Sequence, residues 1–249
     1  MSNTIFHILL AVIPAVVAIT LHEAAHGYAA WALGDDTAKR EGRLSLNPLA
    51  HVDRVGTLLL PGFLIVFQLL TIGRISFLFG WAKPVPVASW KFANPRRGMM
   101  LVAAAGPLMN FFLAWLGALA LHPILAMAGD DSGMTADSGS TILGLLAQYF
   151  ILSNLVLGLF NLLPIPPLDG GRIAVGLLPL PLARVWERFE RAGILIVVLL
   201  VFLLPRLLSE FDIDFNPVGN ALDAVIPWAM HLILTLAGFN GRTGDVLTF

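Results

Sequence analysis

Long apolar stretches dominate the chain, and most polar residues are gathered between them. Runs of about 20 mostly apolar residues are long enough to cross a bilayer as helices. Clear runs cover residues 5–33, 99–121, 142–163 and 193–208, and a weaker one covers 218–237. This pattern predicts an all-α, multi-spanning membrane protein built as a helical bundle.

The stretch 55–80 is also apolar, but basic residues flank both of its ends. Residues that favour breaks in a helix recur along it, namely Pro61, Gly62, Gly73, Arg74 and Gly80. Irregular backbone at membrane depth is tolerated where protein covers it or water reaches it. We therefore predict a re-entrant element lining a cavity between the first and second full spans, in a bundle of about five to six transmembrane segments. A plain helix is the alternative.

Composition agrees with a membrane protein, argues against nucleic-acid binding and limits the ligands of any metal site. Hydrophobic residues make up 57% of the chain, charged residues 12%, and the mean hydropathy is +0.83. The formal net charge of -1 offers no basic surface for nucleic acid. The chain has no cysteine, so any metal site must use His, Asp or Glu.

The distribution of basic residues predicts the orientation, because Lys and Arg accumulate in cytoplasmic loops. They form one group after the first span, one before the second and one between the third and fourth. These groups are Lys39, Arg40, Arg43 and Arg54; Lys83, Lys91, Arg96 and Arg97; and Arg172, Arg184, Arg188 and Arg191. The loop 129–140 has no basic residue and is expected outside. We expect a multi-pass protein of the cell (inner) membrane.

The domain organisation follows from the absence of a repeat or a long linker in the sequence. We predict one domain over residues 1–249, with a core of about 1–175 and additional C-terminal membrane helices at about 190–240. The first residues, MSNTIF, lack the basic start of a removable signal peptide. The first span is therefore expected to be retained.

The first span contains the sequence HEAAH, which places ionisable groups in an apolar setting. His22 and His26 stand one turn apart on a helix and can share one metal ion. Glu23 is suited to act as the base for a water that zinc activates. The alternative is that these side chains are hydrogen-bond partners between helices.

Two histidines leave a catalytic zinc site incomplete, because such sites usually have three protein ligands. The rise of a helix puts His22 near the inner edge of the hydrocarbon core. Asp169 and, less well, Asp53 are the carboxylates expected at that level. Asp169 ends the sequence NLLPIPPLD and precedes two glycines, so we expect a bent chain that directs its carboxylate inward. A helix cap followed by a turn is the alternative.

These motifs resemble the site-2 protease family of intramembrane zinc metalloproteases. The resemblance rests on HEAAH, on GPLMN at 106–110 and on NLLPIPPLDGG at 161–171, in that order. It implies that His22, His26 and Asp169 bind one Zn²⁺ ion and that Glu23 activates water. The segments GRLSLNPLAHVDRVGTLLLP and FGWAKPVPV are similar to those of small bacterial members, and we recognise no PDZ or nucleotide-sensing (CBS) domain.

Further polar and glycine residues are candidates for binding substrate. Asn110, with Gly106 beside it, is placed to bond a substrate backbone or to polarise the scissile carbonyl, and an interhelical hydrogen bond is equally consistent. Asn161 is a third candidate, at the bend before Asp169. The segment 81–87, WAKPVPV, alternates like a short edge strand that aligns a substrate. His51 is expected to be exposed or to lie behind the site, with no assigned role.

Together these features predict an intramembrane zinc metalloprotease that hydrolyses peptide bonds within or near transmembrane segments of membrane proteins. Its partners are transmembrane protein substrates and the lipid bilayer, with no nucleic acid. A zinc-binding transporter or scaffold without proteolytic activity is the alternative function. Within enzymes, a metalloprotease whose third ligand is Glu187 or Glu190 is the alternative site. The physiological substrate and the oligomeric state are not assigned.

Overall fold

The computed structural model describes residues 2–71, 73, 80–128 and 139–239, and all regular elements within these ranges are helical. The prediction of an all-α fold is confirmed. The α-helices of the described residues are α1 (Ser2–Ala32), α2 (Thr37–Arg40), α3 (Leu60–Thr71), α4 (Pro95–Ala128), α5 (Gly139–Asn161), α6 (Asp169–Leu177), α7 (Leu180–Phe189), α8 (Gly193–Val198), α9 (Leu204–Ser209) and α10 (Pro217–Leu236).

Several of these helices have the length and composition of membrane spans. The stretches that qualify alone are Phe6–Ala32, Arg54–Thr71, Pro95–Met127, Ile142–Asn161 and Pro217–Leu236. A sixth span results if α7 and the helical stretch Gly193–Ser209 cross together, with a bend of 75° between them. The prediction of about five to six spans is therefore confirmed.

Helix α4 lies at the centre of the bundle and packs against α1, α5, α6 and α10. Its outer half meets α5 and α10 in an apolar core that includes Leu121, Ile151, Leu155 and Leu234, each almost fully buried. Lipid is as apolar as these side chains, so close packing stabilises the contact more than exclusion from solvent does. Small residues such as Ala114, at 0% exposure, let the helices approach closely.

Helix α1 carries the HEAAH sequence and ends where the chain turns sharply. Gly34 has a φ of 102°, a left-handed value that favours glycine. The Asp35 N–H donates to the Ala30 carbonyl at 2.9 Å, which closes the last turn. The turn brings the following loop back beneath α1, close to the histidines.

The segment around α3 leaves the other helices and then returns to its starting level. A π-helical stretch, Arg54–Leu59, leads directly into α3. The Trp81 N–H donates to the Gly56 carbonyl at 3.2 Å, and the Thr57 hydroxyl donates to the Trp81 carbonyl at 2.9 Å. The chain that leaves at Gly56 is thus back at the same level at Trp81, as a re-entrant element requires. Arg74 and its neighbours, residues 72 and 74–79, lie outside the described residues.

Two local predictions for this region are wrong. Pro61 and Gly62 do not break the helix, since α3 runs through both. Proline has no N–H to donate. Because Pro61 is the second residue of α3 and follows a π-helical stretch, the missing N–H removes little regular hydrogen bonding. Gly73, with a φ of 72°, lies where this helical stretch has ended.

The segment 81–87 is not a strand, because its described residues pair with side chains and loops. The Arg43 Nη2 group donates to the Lys83 carbonyl at 2.8 Å, and the Lys83 N–H donates to the His51 carbonyl at 2.8 Å. Pro84 and Pro86 have no N–H to offer a neighbouring strand.

Candidate metal centre

Three potential metal ligands from distant parts of the chain converge where the C-terminal part of α1 meets the N-terminal end of α6. The Nε2 atoms of His22 and His26 are 3.1 Å apart. The Asp169 Oδ2 atom lies 3.1 Å from the His22 Nε2 and 3.3 Å from the His26 Nε2. His22 is 5% exposed and Asp169 is 7% exposed. The predicted ligand set is therefore brought together, and the bend after α5 does direct the carboxylate inward.

The hydrogen-bond partner of His26 determines which of its ring nitrogens carries a proton. Its Nδ1 atom lies 2.7 Å from the Val102 carbonyl oxygen on α4. A carbonyl oxygen only accepts, so Nδ1 must be the donor. In the neutral ring Nε2 then has a free lone pair, which points towards His22 and Asp169.

His22 has the same arrangement, with an amide as its partner. Its Nδ1 atom lies 2.6 Å from the Asn110 Oδ1 atom, while the Asn110 Nδ2 group faces the Ala18 carbonyl at 3.4 Å. The amide oxygen therefore accepts from the His22 Nδ1–H. The Nε2 atom of a neutral His22 ring is left with a free lone pair too.

The three converging atoms can all donate electron pairs, and a metal ion is a partner that satisfies them together. In their neutral Nδ1–H tautomers, the two imidazoles direct Nε2 lone pairs towards each other and towards a carboxylate oxygen at hydrogen-bond distances. The Asp169 Oδ2 atom is buried and receives no hydrogen bond from the described residues. Ligands at about 2.0–2.1 Å from a tetrahedral zinc ion lie about 3.3 Å from one another. The observed separations of 3.1 to 3.3 Å fit one zinc ion with an open fourth position.

The loop between α5 and α6 delivers Asp169 because its glycines allow a very tight bend. A Cβ atom on Gly170 would lie 2.2 Å from the Leu162 carbonyl oxygen, and one on Gly171 would lie 2.8 Å from the Pro166 nitrogen. These clashes are with backbone, which cannot move aside easily. The LDGG sequence therefore specifies the close approach that sets the carboxylate against the histidines.

Gly106 on α4 forms the wall behind both histidine rings. A Cβ atom there would lie 2.5 Å from the Cε1 atoms of His22 and of His26. The absence of a side chain at Gly106 is what lets α1 and α4 approach at this level. Its predicted role in substrate binding stays untested, and the structure gives it a role in positioning the rings.

Glu23 lies beside the metal centre and contacts the segment that follows the re-entrant element. Its Oε2 atom accepts a hydrogen bond from the Val85 N–H at 3.3 Å. Val85 is 8% exposed and packs close to Gly27 on the same face of α1. The segment 81–88 thus passes directly over the side chain predicted to be the base.

Asp35 holds the far end of this segment. Its carboxylate is fully buried and accepts from the Ala88 N–H at 2.6 Å, from the Thr37 N–H at 3.0 Å and from the Thr37 hydroxyl. Lys91 Nζ lies 3.2 Å from the same carboxylate. Burial raises the pKa of Asp35, but these hydrogen bonds outweigh it and lower the pKa to about 2. Asp35 therefore stays ionised and anchors the segment to the end of α1.

Two of the carboxylates considered as alternatives, Asp53 and Glu190, have other partners. Asp53 caps the π-helical stretch by accepting from the Val55 and Gly56 N–H groups. Glu190 pairs with Arg172 at 3.2 Å. Within the described residues, His22, His26 and Asp169 are the group of three that geometry brings within reach of one ion.

The remaining predicted residues lie around the centre. Asn110 is fully buried and makes interhelical hydrogen bonds, and its role in substrate binding stays untested. Asn161 Nδ2 donates to the Leu157 carbonyl of its own helix at 3.0 Å. His51 is 3% exposed and its Nε2 donates to the Ser45 carbonyl, so of the two placements expected for it, the exposed one is wrong.

Asn154 on α5 is the site residue that sequence reasoning missed. It is fully buried, and its Oδ1 atom accepts from the Asn110 Nδ2 group at 2.9 Å. An amide inside an apolar membrane helix is costly without a partner, and that cost is the signal that points to Asn154.

Comparisons with known proteins agree with the geometry. A family model described as Peptidase family M50 matches residues 120–204, which include Asp169. "Putative zinc metalloprotease YwhC" of Bacillus subtilis is 42% identical over 194 residues, which are 78% of this chain and 80% of that protein. "Putative zinc metalloprotease Rip2" of Mycolicibacterium smegmatis is 33% identical over 214 residues, 83% of this chain and 74% of that protein. No solved structure gives a significant match.

Proposed function

Because the chain belongs to peptidase family M50, the site-2 protease family of zinc metalloproteases, we propose that it cleaves membrane proteins within the bilayer. It is a multi-pass membrane metalloprotease, and the proposal concerns its substrates and its residues. The substrates are proteins cut within or near their transmembrane segments. His22, His26 and Asp169 hold one zinc ion, and Glu23 is the general base.

The observation that carries this proposal is the convergence of His22 Nε2, His26 Nε2 and Asp169 Oδ2 to within 3.1 to 3.3 Å of one another. The Nδ1–H groups of His22 and His26 are directed away, to Asn110 and Val102. A divalent cation satisfies these three atoms at once, and nitrogen and oxygen ligands in this number suit catalytic zinc.

The chemistry of cleavage follows from the groups around this centre. A zinc ion held by His22, His26 and Asp169 would make a bound water more acidic and would polarise the scissile carbonyl. Glu23 accepts a proton from that water while the water oxygen bonds to the carbonyl carbon. Glu23 then passes the proton to the leaving amine as the C–N bond breaks. The Val85 N–H orients the Glu23 carboxylate before the reaction.

The position of the centre in the bundle supports a membrane substrate and a cytoplasmic site. His22 and His26 lie within the span Phe6–Ala32, near its C-terminal end. Lys39 and Arg40 follow that end, so the positive-inside rule favours the cytoplasm. A substrate helix hides its peptide bonds in its own hydrogen bonds, so local unwinding must precede cleavage at this level.

The same reasoning extends to the whole chain and its location. We propose that residues 1–249 form one intramembrane domain, with the metal centre in its first 175 residues and further helices at about 190–240. The protein resides in the cell membrane and acts on transmembrane proteins that diffuse to it through the bilayer.

Co-expression with tagged single-span membrane proteins tests the proposal. The wild type, Glu23→Gln and the exposed control Glu41→Gln are compared for cleavage and for zinc content. We expect the wild type and Glu41→Gln to cut a client, and Glu23→Gln to accumulate it uncut while keeping zinc. Cleavage by Glu23→Gln at the wild-type rate would show that Glu23 is not the base. Retained zinc without cleavage of any client by the wild type would favour the transporter or scaffold.

A further inference from the structure

A series of hydrogen bonds through two buried amides connects α5 to His22. Asn154, at the α5 end of this series, is not among the residues proposed above to bind zinc or to activate water. Asn154 Nδ2 donates to the Phe150 carbonyl oxygen at 2.8 Å. Asn154 Oδ1 accepts from Asn110 Nδ2 at 2.9 Å, and Asn110 Oδ1 accepts from the His22 Nδ1–H at 2.6 Å. Asn110 and Asn154 are both fully buried, so no solvent competes for these hydrogen bonds.

The orientations of the two amides follow from the acceptor at the α5 end of this series, the Phe150 carbonyl. The Phe150 carbonyl oxygen can only accept, so Asn154 must present its Nδ2 group there. Asn154 then presents Oδ1 to Asn110, which must answer with its own Nδ2 group. The Asn110 Oδ1 atom is left facing His22, and only a protonated Nδ1 can satisfy it. The Phe150 carbonyl on α5 thus favours one tautomer of a ring on α1, in agreement with the Ala18 carbonyl, which lies 3.4 Å from Asn110 Nδ2.

We propose that Asn154 is a positioning residue that sets the orientation of the Asn110 amide and thereby keeps the His22 Nε2 lone pair free for the metal. This inference rests on the proposed zinc site. The side-chain hydrogen bonds of Asn154 run to Asn110 and Phe150 and not to the ligand residues, so its effect reaches the centre through Asn110. Partners of this kind orient ligating histidines and raise metal affinity.

Loss of the Asn154 acceptor leaves the Asn110 Nδ2 group with only the longer contact to the Ala18 carbonyl at 3.4 Å, so the opposite orientation of Asn110 becomes more accessible. The rotated amide would donate to His22 Nδ1, and the proton would move to Nε2, where Asp169 accepts it. That form stabilises the centre without metal, because the Asp169 carboxylate gains a hydrogen bond. Zinc must then displace this proton and rotate the amide, so the variant binds zinc more weakly.

Variants at Asn154 separate this role from packing. Asn154→Leu has a similar volume and removes both polar atoms. Asn154→Asp restores the series when its carboxyl is protonated, as burial favours, because the O–H donates to Phe150 and the other oxygen accepts from Asn110. Leu155→Ala is the matched control, since Leu155 is equally buried on the same helix and belongs to the apolar core.

The measurement is the dissociation constant of zinc in the purified full-length protein, obtained by competition with a chelator at fixed pH, alongside thermal stability. We expect Asn154→Leu to weaken zinc binding about tenfold. Asn154→Asp should remain close to the wild type. Leu155→Ala should lower thermal stability and leave the dissociation constant unchanged.

A second background makes the test specific to the amide orientation. In Asn110→Leu the side chain has no polar atom, so Asn154 has no amide through which it can act on His22. We expect Asn154→Leu to cause no further loss of zinc affinity in that background. A loss that is the same in both backgrounds would overturn the inference, as would wild-type affinity in Asn154→Leu itself.

Failure of the zinc site is recognised separately. If Asp169→Ala binds zinc as tightly as the wild type, the proposed ligands are wrong and the inference falls with them. If Asp169→Ala loses zinc and Asn154→Leu does not weaken it, the zinc site stands and only the role of Asn154 is refuted.

Discussion

Helices α4 and α5 each have a part beside His22, called the inner half, and a part away from it, called the outer half. The two halves are built on opposite principles. The inner half surrounds His22 with the buried amides of Asn110 and Asn154, linked by hydrogen bonds. The outer half packs Leu121 and Ile151 with small residues and belongs to an apolar core. Both halves are tightly packed, but Asn110 and Asn154, the fully buried polar side chains of these two helices, lie in the inner half.

This difference indicates which half serves the chemistry and which serves the fold. Buried polar groups need every partner satisfied, and breaking one link leaves an unpaired atom in a medium of low dielectric. Apolar packing tolerates small changes at a cost in stability alone. We therefore expect substitutions in the inner half to change zinc binding and those in the outer half to change stability.

The largest effect on zinc is expected from removing a ligand. Asp169→Ala leaves two of three protein ligands, and we expect its zinc content to fall from one ion per chain to roughly a tenth or less. Glu187→Ala is the control, because it tests the alternative third ligand. Metal analysis of both purified proteins measures this. Full zinc in Asp169→Ala together with loss in Glu187→Ala would reverse the assignment.

Gly106→Ala is the next test and has a counterpart in the outer half. Its Cβ atom would overlap both histidine rings, so we expect zinc affinity to fall by about 10- to 100-fold. Gly117→Ala, on the same helix, would meet Phe150 and Ile151 at 2.9 and 3.0 Å. It should lower thermal stability and leave zinc affinity unchanged. Equal zinc affinities for the two variants would contradict the division into halves.

Truncating a side chain of the apolar core in the outer half is expected to lower stability and to leave zinc binding unchanged. Leu121 is 0% exposed, and Leu121→Ala should lower the free energy of unfolding by about 2 kcal/mol, because it leaves a cavity. The lower end of the usual range applies, since lipid does not favour burial as water does. Leu108→Ala, which faces outward at 64% exposure, is the control. Unfolding in detergent and zinc content are measured together, and loss of zinc in folded Leu121→Ala would count against the comparison.

The smallest effect concerns Asp35, which ties the segment over Glu23 to α1. Its pKa is about 2 in the folded protein, against 3.8 for the ordinary group, because hydrogen bonds from Thr37 and Ala88 favour the ionised form. Its contribution to stability is therefore complete above about pH 4 and is lost as the pH falls towards 2. We expect Asp35→Asn to cost about 1 kcal/mol at neutral pH, since the amide keeps part of the bonding.

Unfolding of the wild type and of Asp35→Asn, measured across a range of pH, tests whether acid removes the contribution of Asp35 to stability. The difference in unfolding free energy should shrink as the solution is acidified below pH 4. A difference that stays constant down to pH 2 would show that the ionisation of Asp35 does not contribute.

The spans and the ligand set were predictable, because each depends on a local pattern of residue types. Apolar length predicts the helices, and two histidines one turn apart with a carboxylate at the same depth predict the centre. The position of Asp169 followed from prolines and glycines that only a sharp bend explains.

Other features depend on three-dimensional partners that no local pattern specifies. Pro61 breaks a helix only where a regular hydrogen bond is lost, and the preceding π-helical stretch makes that loss small. The segment 81–87 alternates like a strand, but Arg43 and Asp35 supply its hydrogen bonds. The role of Asn154 depends on facing Asn110 across two helices, which sequence spacing does not reveal.

The central claim is that two imidazoles and one carboxylate hold a single zinc ion at the inner end of α1. X-ray absorption at the zinc edge of the purified Glu23→Gln protein tests it most directly, since this variant is expected to bind metal without cleaving protein. We predict one zinc per chain with two imidazole nitrogens and a carboxylate oxygen at about 2.0–2.1 Å. A spectrum without imidazole ligands, or one unchanged in Asp169→Ala, would contradict the account.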